Sequence, residues 1–258
     1  MKTVKLQQVP PALKTGDKPD LKIPNVLESC ILADAEGTPI GLFLKELPPD
    51  LANLANIADT ECNSERVPKS VMKRSSGLHS DHGEVLQYSA ILGSVPPKPH
   101  MRRAYATRSS VHSTKSARTF TKAMAAAGAK AFRLAHTIIP SVTEHHIERV
   151  NSRVPDKWRF AEYFSSTISN CGISAPIHRD NANVKGAVNV IITKRRNSTG
   201  GNLHVPDYDA TFDMTDGSML VYPAWRNSHG VTPIIPTHPG GYRNSHVWYA
   251  LDSFHNLG

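Results

Sequence analysis

The chain has 258 residues, 39% of them hydrophobic, which is enough to bury one enlarged core, and its formal net charge is +8. Its three cysteines, Cys30, Cys62 and Cys171, are too few and too scattered for a disulfide framework or a zinc cluster, and read as free thiols of a reducing compartment. No stretch approaches the roughly 20 apolar residues of a membrane helix, and the polar start lacks the apolar segment of a secretion signal, so a soluble intracellular protein with no membrane partner is expected.

Residues 1–27 are rich in Pro and Lys and have no periodicity, and are expected to form a flexible or loosely docked arm. Two apolar runs, Cys30 to Ala33 and Ile40 to Leu44, flank a turn-forming segment and predict a hairpin. Leu51, Leu54 and Ile57 recur at helical spacing behind Asp50, an available cap, and predict a short amphipathic helix. Residues 62–115 are polar and basic, and only Val85 to Leu92 is strand-like. From Glu61 to Arg133 there are 13 Lys or Arg against 4 Asp or Glu, so this third carries the charge of the whole chain. Such an excess is either a solvated face or a surface for a polyanion, whose condensed counterions are released on binding. Arg102, Arg103 and Arg108 lie near prolines and outside the long helix that follows, and are the candidates for phosphate contact.

Ser116 to Ile139 places Phe120, Met124, Ala127 and Ala131 on one face and predicts a long helix ended by Pro140. Ser141 then opens another helix, with Glu144 completing a capping box. From residue 160 the pattern changes to short apolar runs bounded by Gly, Pro, Asn or Asp. About seven strands at such close spacing predict a sandwich or barrel, giving an α+β chain with a mainly β core at 160–258. Residues 28–159 are expected to be a helical, basic region packed on that core.

Non-haem iron oxygenases hold Fe(II) with two His and one carboxylate, leaving positions open for co-substrate and oxygen. The local half of such a site is His-x-Asp or His-x-Glu, of which chance supplies about one in this composition. The chain has four: His79/Asp81, His82/Glu84, His146/Glu148 and His178/Asp180. The first two fall in a polar Gly- and Ser-rich stretch. The third falls in a predicted helix, where residues two apart point to different faces. His178 and Asp180 lie just before a predicted strand, and in an extended segment residues two apart project from the same side. His229, at the start of a later predicted strand, supplies the second His. Arg243, entering the last strand with Ser245, offers a guanidinium fork that can hold the distal carboxylate of 2-oxoglutarate bidentately, as a Lys could not.

Over about residues 160–252 these features resemble the 2-oxoglutarate oxygenases, and within them the TET/JBP family of nucleic-acid pyrimidine hydroxylases. The resemblance rests on His178-Arg179-Asp180-Asn181-Ala182-Asn183, on His229-Gly230-Val231-Thr232-Pro233, and on Arg243-Asn244-Ser245-His246-Val247-Trp248-Tyr249. The tail from His229 to Trp248 is also similar to prolyl hydroxylases.

The TET/JBP resemblance implies a double-stranded β-helix, or jelly roll, flanked by N-terminal helices. It implies Fe(II) bound by His178, Asp180 and His229, with 2-oxoglutarate bound by Arg243 and Ser245 and with O2 as co-substrate. It also makes Asn183 a contact to the target base and Tyr249 its stacking platform. The activity implied is hydroxylation of 5-methylcytosine in DNA, with a JBP-type thymine hydroxylase and a protein hydroxylase as alternatives. Two departures stand out. Leu251 occupies a position where TET enzymes carry a His, and the Cys-rich segment of animal TET proteins is absent, so the chain is similar to minimal microbial or phage forms. The expected compartment is then a bacterial cytoplasm, or the nucleus if the source is eukaryotic. Trp248 and Tyr249 must face opposite sides of their strand, so only one of them can face the cavity.

Overall fold

The computed structural model describes residues 1–75, 87–98 and 104–257. Among them, four α-helices lie before residue 160: α1 (Pro49–Cys62), the single turn α2 (Ser110–Ser113), α3 (Arg118–Ile138) and α4 (Pro140–Arg153). The Ala-rich α3 buries Phe120, Met124, Ala127, Ala131 and Ala135 along one stripe, as the periodicity predicts. The expected capping box at Ser141 and Glu144 does not form. Helix α4 begins one residue earlier, at Pro140, with no side-chain cap. A proline has no N–H to leave unsatisfied and its φ is already helical, so it starts a helix without one.

Sixteen strands are described. Before residue 160 they are β1 (Lys2–Lys5), β2 (Cys30–Ala33), β3 (Pro39–Leu44), β4 (Lys73–Ser75), β5 (Gln87–Val95) and β6 (Thr107–Arg108). After it come β7 (Ser166–Cys171), β8 (Ala175–His178), β9 (Asn189–Arg196), β10 (Ser198–Gly200), β11 (Leu203–Val205) and β12 (Ala210–Phe212). The last four are β13 (Met219–Tyr222), β14 (His229–Val231), β15 (Ile234–Pro236) and β16 (Tyr242–Tyr249). The large sheet runs β1-β2-β3-β13-β9-β16-β7-β5-β4, with β6 beside β5, and a smaller one runs β12-β11-β14-β8. Among the described strands the sheets face each other without closing into a barrel.

Each face of the large sheet has its own cover. On one side Leu42, Val190, Ile192, Met219, Val221 and Trp248 pack with Leu51 of α1 and Phe120, Met124 and Phe132 of α3. On the other, Phe43, Ile191, Leu220 and Tyr222 pack with Leu203, Val205, Ala210 and Phe212 of the small sheet. Strand β16 shows how the pleat divides labour. Tyr242 and Asn244 bond to Asp59 of α1, and the Trp248 indole donates to the Met124 carbonyl of α3. The alternate residues Arg243, Ser245, Val247 and Tyr249 therefore face the space between the sheets.

The pairing crosses the division expected at residue 160, because β2, β3 and β5 share one sheet with β7, β9, β13 and β16. The first residues, expected as a flexible or loose arm, lie docked along both sheets. Strand β1 pairs in parallel with β2, Gly16 and Asp17 bond to Ile177 of β8, and Asn25 and Val26 donate to Thr211 of β12. Sheet edges offer unpaired backbone groups to any extended segment regardless of its side chains, so no hydrophobic pattern announces this docking. Among the described residues no helix is long and apolar enough to cross a membrane.

Candidate metal centre

His178 ends β8 and His229 begins β14, and the two are directly opposed across the antiparallel ladder, with ring centroids 4.4 Å apart. Asp180 follows β8 in a segment anchored by its own N–H to the Ala224 carbonyl, and its Oδ1 lies 3.6 Å from His178 Nε2. One ligand atom from each residue of this trio lies within 4.8 Å of the others. The three residues singled out from the sequence are thus brought together.

Hydrogen bonding sets which atom each residue presents. His178 Nδ1 is 2.8 Å from the Pro176 carbonyl and His229 Nδ1 is 3.4 Å from the Asn227 carbonyl. A carbonyl only accepts, so both rings carry their proton on Nδ1 and turn the Nε2 lone pair to the shared space, as metal-binding imidazoles do. Asp207 supports the second anchor by accepting from the Asn227 amide and the Ser228 N–H. Burial, then the neighbouring His178, pushes His229 down to about 4, which keeps it in the neutral form a metal requires. Asp180 Oδ2 accepts from Asn189 Nδ2 at 2.9 Å, which leaves Oδ1 for an ion.

Arg243 is 1% exposed, yet among the described residues its Nε and Nη1 have no hydrogen-bond partner and its Nη2 has only the distant Thr193 hydroxyl, at 3.5 Å. Burial, then Arg195, pulls its pKa down to about 9. A buried cation without a partner is costly, and a carboxylate offered to the fork would remove the cost. Gly201 makes room there: at φ +61° it has no side chain, and an added Cβ would press on Arg243 Cγ and Cδ. The chemistry of the donor set thus fits Fe(II) at His178, Asp180 and His229 and a dicarboxylate at Arg243. Ser245 is buried beside it on the same face of β16. A cavity of about 760 Å³ under the end of α1, lined by Cys62, Tyr88, Cys171, Tyr242 and Arg243, contains none of the three candidate ligands.

The remaining expected site residues divide. Tyr249 faces the space between the sheets, and burial together with the nearby Asp180 charge raises its phenol, while Trp248 is core on the other face. Asn183 is 6% exposed, and its amide nitrogen contacts Asn189 Oδ1 at 2.8 Å and Asp180 Oδ2 at 3.4 Å. Arg108, expected on a phosphate track, turns inward instead: Nη1 donates to the Ser94 hydroxyl and the Arg159 carbonyl, and Nη2 to the Lys157 carbonyl. Arg102 and Arg103, and the pairs His79/Asp81 and His82/Glu84, lie outside the described residues. His146 is a buried core residue while Glu148 is exposed, so that pair forms no chelate. The three cysteines are free, and the Cys62 and Cys171 sulfurs lie 3.5 Å apart.

Sequence reasoning missed Asn189, Asp207 and Tyr222. Tyr222 is fully buried with its ring edge-on to His229 at 5.9 Å and its hydroxyl unpartnered among the described residues. All three reach the site across strands or loops, and nothing in their local sequence marks them.

No family model and no curated protein matches the sequence. Among solved structures, NgTET1 in complex with 5mC DNA superposes with a TM-score of 0.61 at 15% identity, over 95% of this chain and 84% of that one. A 2OG-Fe(II) oxygenase family oxidoreductase from Burkholderia pseudomallei gives a TM-score of 0.48 at 15% identity, covering 82% and 87%. OsALKBH1 gives 0.43 at 13%, covering 82% and 98%. The chain therefore shares the fold of NgTET1 along nearly its whole length.

Proposed function

We propose that the protein is an Fe(II)- and 2-oxoglutarate-dependent dioxygenase that hydroxylates 5-methylcytosine in DNA. The observation that carries the oxygenase reading is the convergence of His178, Asp180 and His229 on one point, together with a buried guanidinium at Arg243 whose Nε and Nη1 have no partner among the described residues. The bound metal and co-substrate would supply the oxidation itself: O2 and 2-oxoglutarate are consumed, one oxygen atom enters the methyl C–H bond, and succinate and CO2 leave.

The chain's own residues then bind, orient and exclude water. His178, Asp180 and His229 hold the iron, and Arg243 with Ser245 holds the dicarboxylate. His178 and Asp180 retain 41% and 30% of their side-chain exposure, so the centre is open on one side to a substrate. A base in a duplex cannot reach it without being flipped out, which calls for a stacking partner and a polar reader. Tyr249 serves as the first and Asn183 as the second. The basic third of the sequence, with Arg102 and Arg103, serves the phosphates. DNA is favoured over a peptide by that charge and by the fold shared with NgTET1, which was solved with 5mC DNA.

The test is incubation with Fe(II), 2-oxoglutarate and DNA carrying 5-methylcytosine or unmodified cytosine, followed by mass spectrometry of the nucleosides and assay of succinate. The expected result is 5-hydroxymethylcytosine with matching succinate from methylated DNA only. Oxidised thymine in both substrates would move the assignment to a thymine hydroxylase. Succinate without any altered nucleoside would exclude DNA as the substrate.

A further inference from the structure

We infer that Asn189 is a specificity-determining positioning residue, which locks the Asn183 amide with its oxygen free and so makes the site select a pyrimidine bearing an exocyclic amino group. This rests on the proposed reading that a base enters beside Asn183.

The Asp180 carboxylate is the one group here whose polarity is beyond choice. It can only accept, and it accepts from Asn189 Nδ2 at 2.9 Å. That bond fixes the orientation of the Asn189 amide, so its other end is an acceptor. It is met by Asn183 Nδ2 at 2.8 Å. The same nitrogen lies 3.4 Å from Asp180 Oδ2, so both of its hydrogens have acceptors inside the protein. Turning the Asn183 amide over would set its oxygen against two oxygens, Asn189 Oδ1 and Asp180 Oδ2. At 3% exposure for Asn189 and 6% for Asn183, little water can relieve such contacts.

What remains to a ligand is Asn183 Oδ1, which accepts from none of the described residues and is not sealed from solvent. Methylcytosine and thymine carry the same methyl group but differ beside it, one offering an amino donor and the other a carbonyl acceptor. A fixed acceptor bonds to the first and repels the second. An asparagine free to rotate would serve both. Asn189 is well placed to enforce the choice, because it opens β9 within the large sheet, paired with Tyr222 of β13.

The test uses the full chain with Mn(II) replacing Fe(II) and N-oxalylglycine replacing 2-oxoglutarate. Duplexes that differ only in carrying 5-methylcytosine or thymine at one site are titrated by fluorescence anisotropy. The ratio of the two turnover rates is then measured with the active metal and co-substrate. The parent should favour methylcytosine by about tenfold or more. Asn189→Leu should bring both ratios within about threefold of unity, read at saturating Mn(II) because loss of a carboxylate partner weakens metal binding by about 10- to 100-fold. Asn189→Ala removes the same lock without adding bulk, so it should also bring the ratios towards unity, and it decides the matter if Asn189→Leu does not fold. A parental ratio retained in a folded Asn189→Leu or Asn189→Ala overturns the inference while leaving the substrate assignment intact. A parent that does not distinguish the bases, or does not bind DNA, overturns both, and the parent alone reveals it.

Discussion

His178 and His229 are register partners in the β8–β14 ladder, so a single strand pairing brings both imidazoles within reach of one ion. The candidate metal centre is thereby built into the small sheet, and Asp180 joins it from the loop immediately after β8. Replacing any of His178, Asp180 or His229 by Ala should weaken Co(II) or Fe(II) binding by more than about 100-fold, beyond what loss of an outer partner costs, and abolish turnover. Circular dichroism should show the fold retained. Full turnover by any one variant would remove that residue from the site.

Arg243 is a buried charge with two of its three guanidinium nitrogens unpartnered among the described residues. In the parent, 2-oxoglutarate with Mn(II) should raise the thermal midpoint, since a ligand that binds only the folded state stabilises it. Arg243→Met should raise the midpoint of the ligand-free protein, because it removes an uncompensated buried cation, and should abolish the rise on adding 2-oxoglutarate. Arg243→Lys should increase the 2-oxoglutarate concentration needed for half-maximal effect by about tenfold or more. A co-substrate response unchanged in both variants would place the carboxylate elsewhere.

His146 has both ring nitrogens engaged in the neutral form. Val188 N–H donates to Nδ1 at 3.0 Å, so Nε2 carries the proton and donates to the Tyr163 carbonyl at 3.0 Å. Complete burial, above all, depresses its pKa from 6.5 to about 4. The unfolded chain therefore binds a proton below pH 6.5 that the folded chain refuses until about pH 4. Stability from this group is present above 6.5 and is lost as pH falls through that window, by up to roughly 3 kcal/mol. His146→Gln, which keeps a donor and an acceptor, should flatten the pH dependence of the urea midpoint by about one proton over that range. An unchanged slope would assign the acid sensitivity to other groups.

Gly128 lets α3 approach β16 closely enough for the Trp248 indole to reach the helix backbone. A Cβ at this position would overlap that indole. Gly128→Ala should thus destabilise the fold by about 1–3 kcal/mol, reversing the gain of about 1 kcal/mol that Ala brings to an exposed helix. A urea midpoint at or above the parent's would show that Trp248 gives way freely.

Arg108 commits its guanidinium to three protein oxygens, two of them backbone carbonyls. Arg108→Ala should cost about 1–3 kcal/mol of stability and leave the salt dependence of DNA binding unchanged. Replacing Arg102 and Arg103 should instead reduce the slope of log affinity against log salt by about 0.9 for each phosphate no longer neutralised. Equal slopes for all variants would return the basic stretch to an ordinary solvated face.

Features that repeat along the chain, or lie within one short segment, were legible from residue order alone. The Ala-rich stripe of α3, the alternation of β16 and the two-residue spacing of His178 and Asp180 each depend on a period or a spacing of two to four residues. That pair, expected just before a strand, instead has His178 ending β8 and Asp180 following it. His229 and Arg243 were legible as residue types at strand positions. Which side of β16 faces the site was not, since alternation separates Trp248 from Tyr249 without saying which is inside; the contact of Trp248 with α3 settles it. The docking of residues 1–27, the inward turn of Arg108 and the bonding of Asn183 through Asn189 to Asp180 likewise emerge only once the chain is folded. Those outcomes rest on neighbours joined across sheets and loops, such as Asp59 and Asn244, which are 185 positions apart. A hydrogen bond between such partners needs only one donor and one acceptor at the right register, and leaves no periodic trace in the residues on either side.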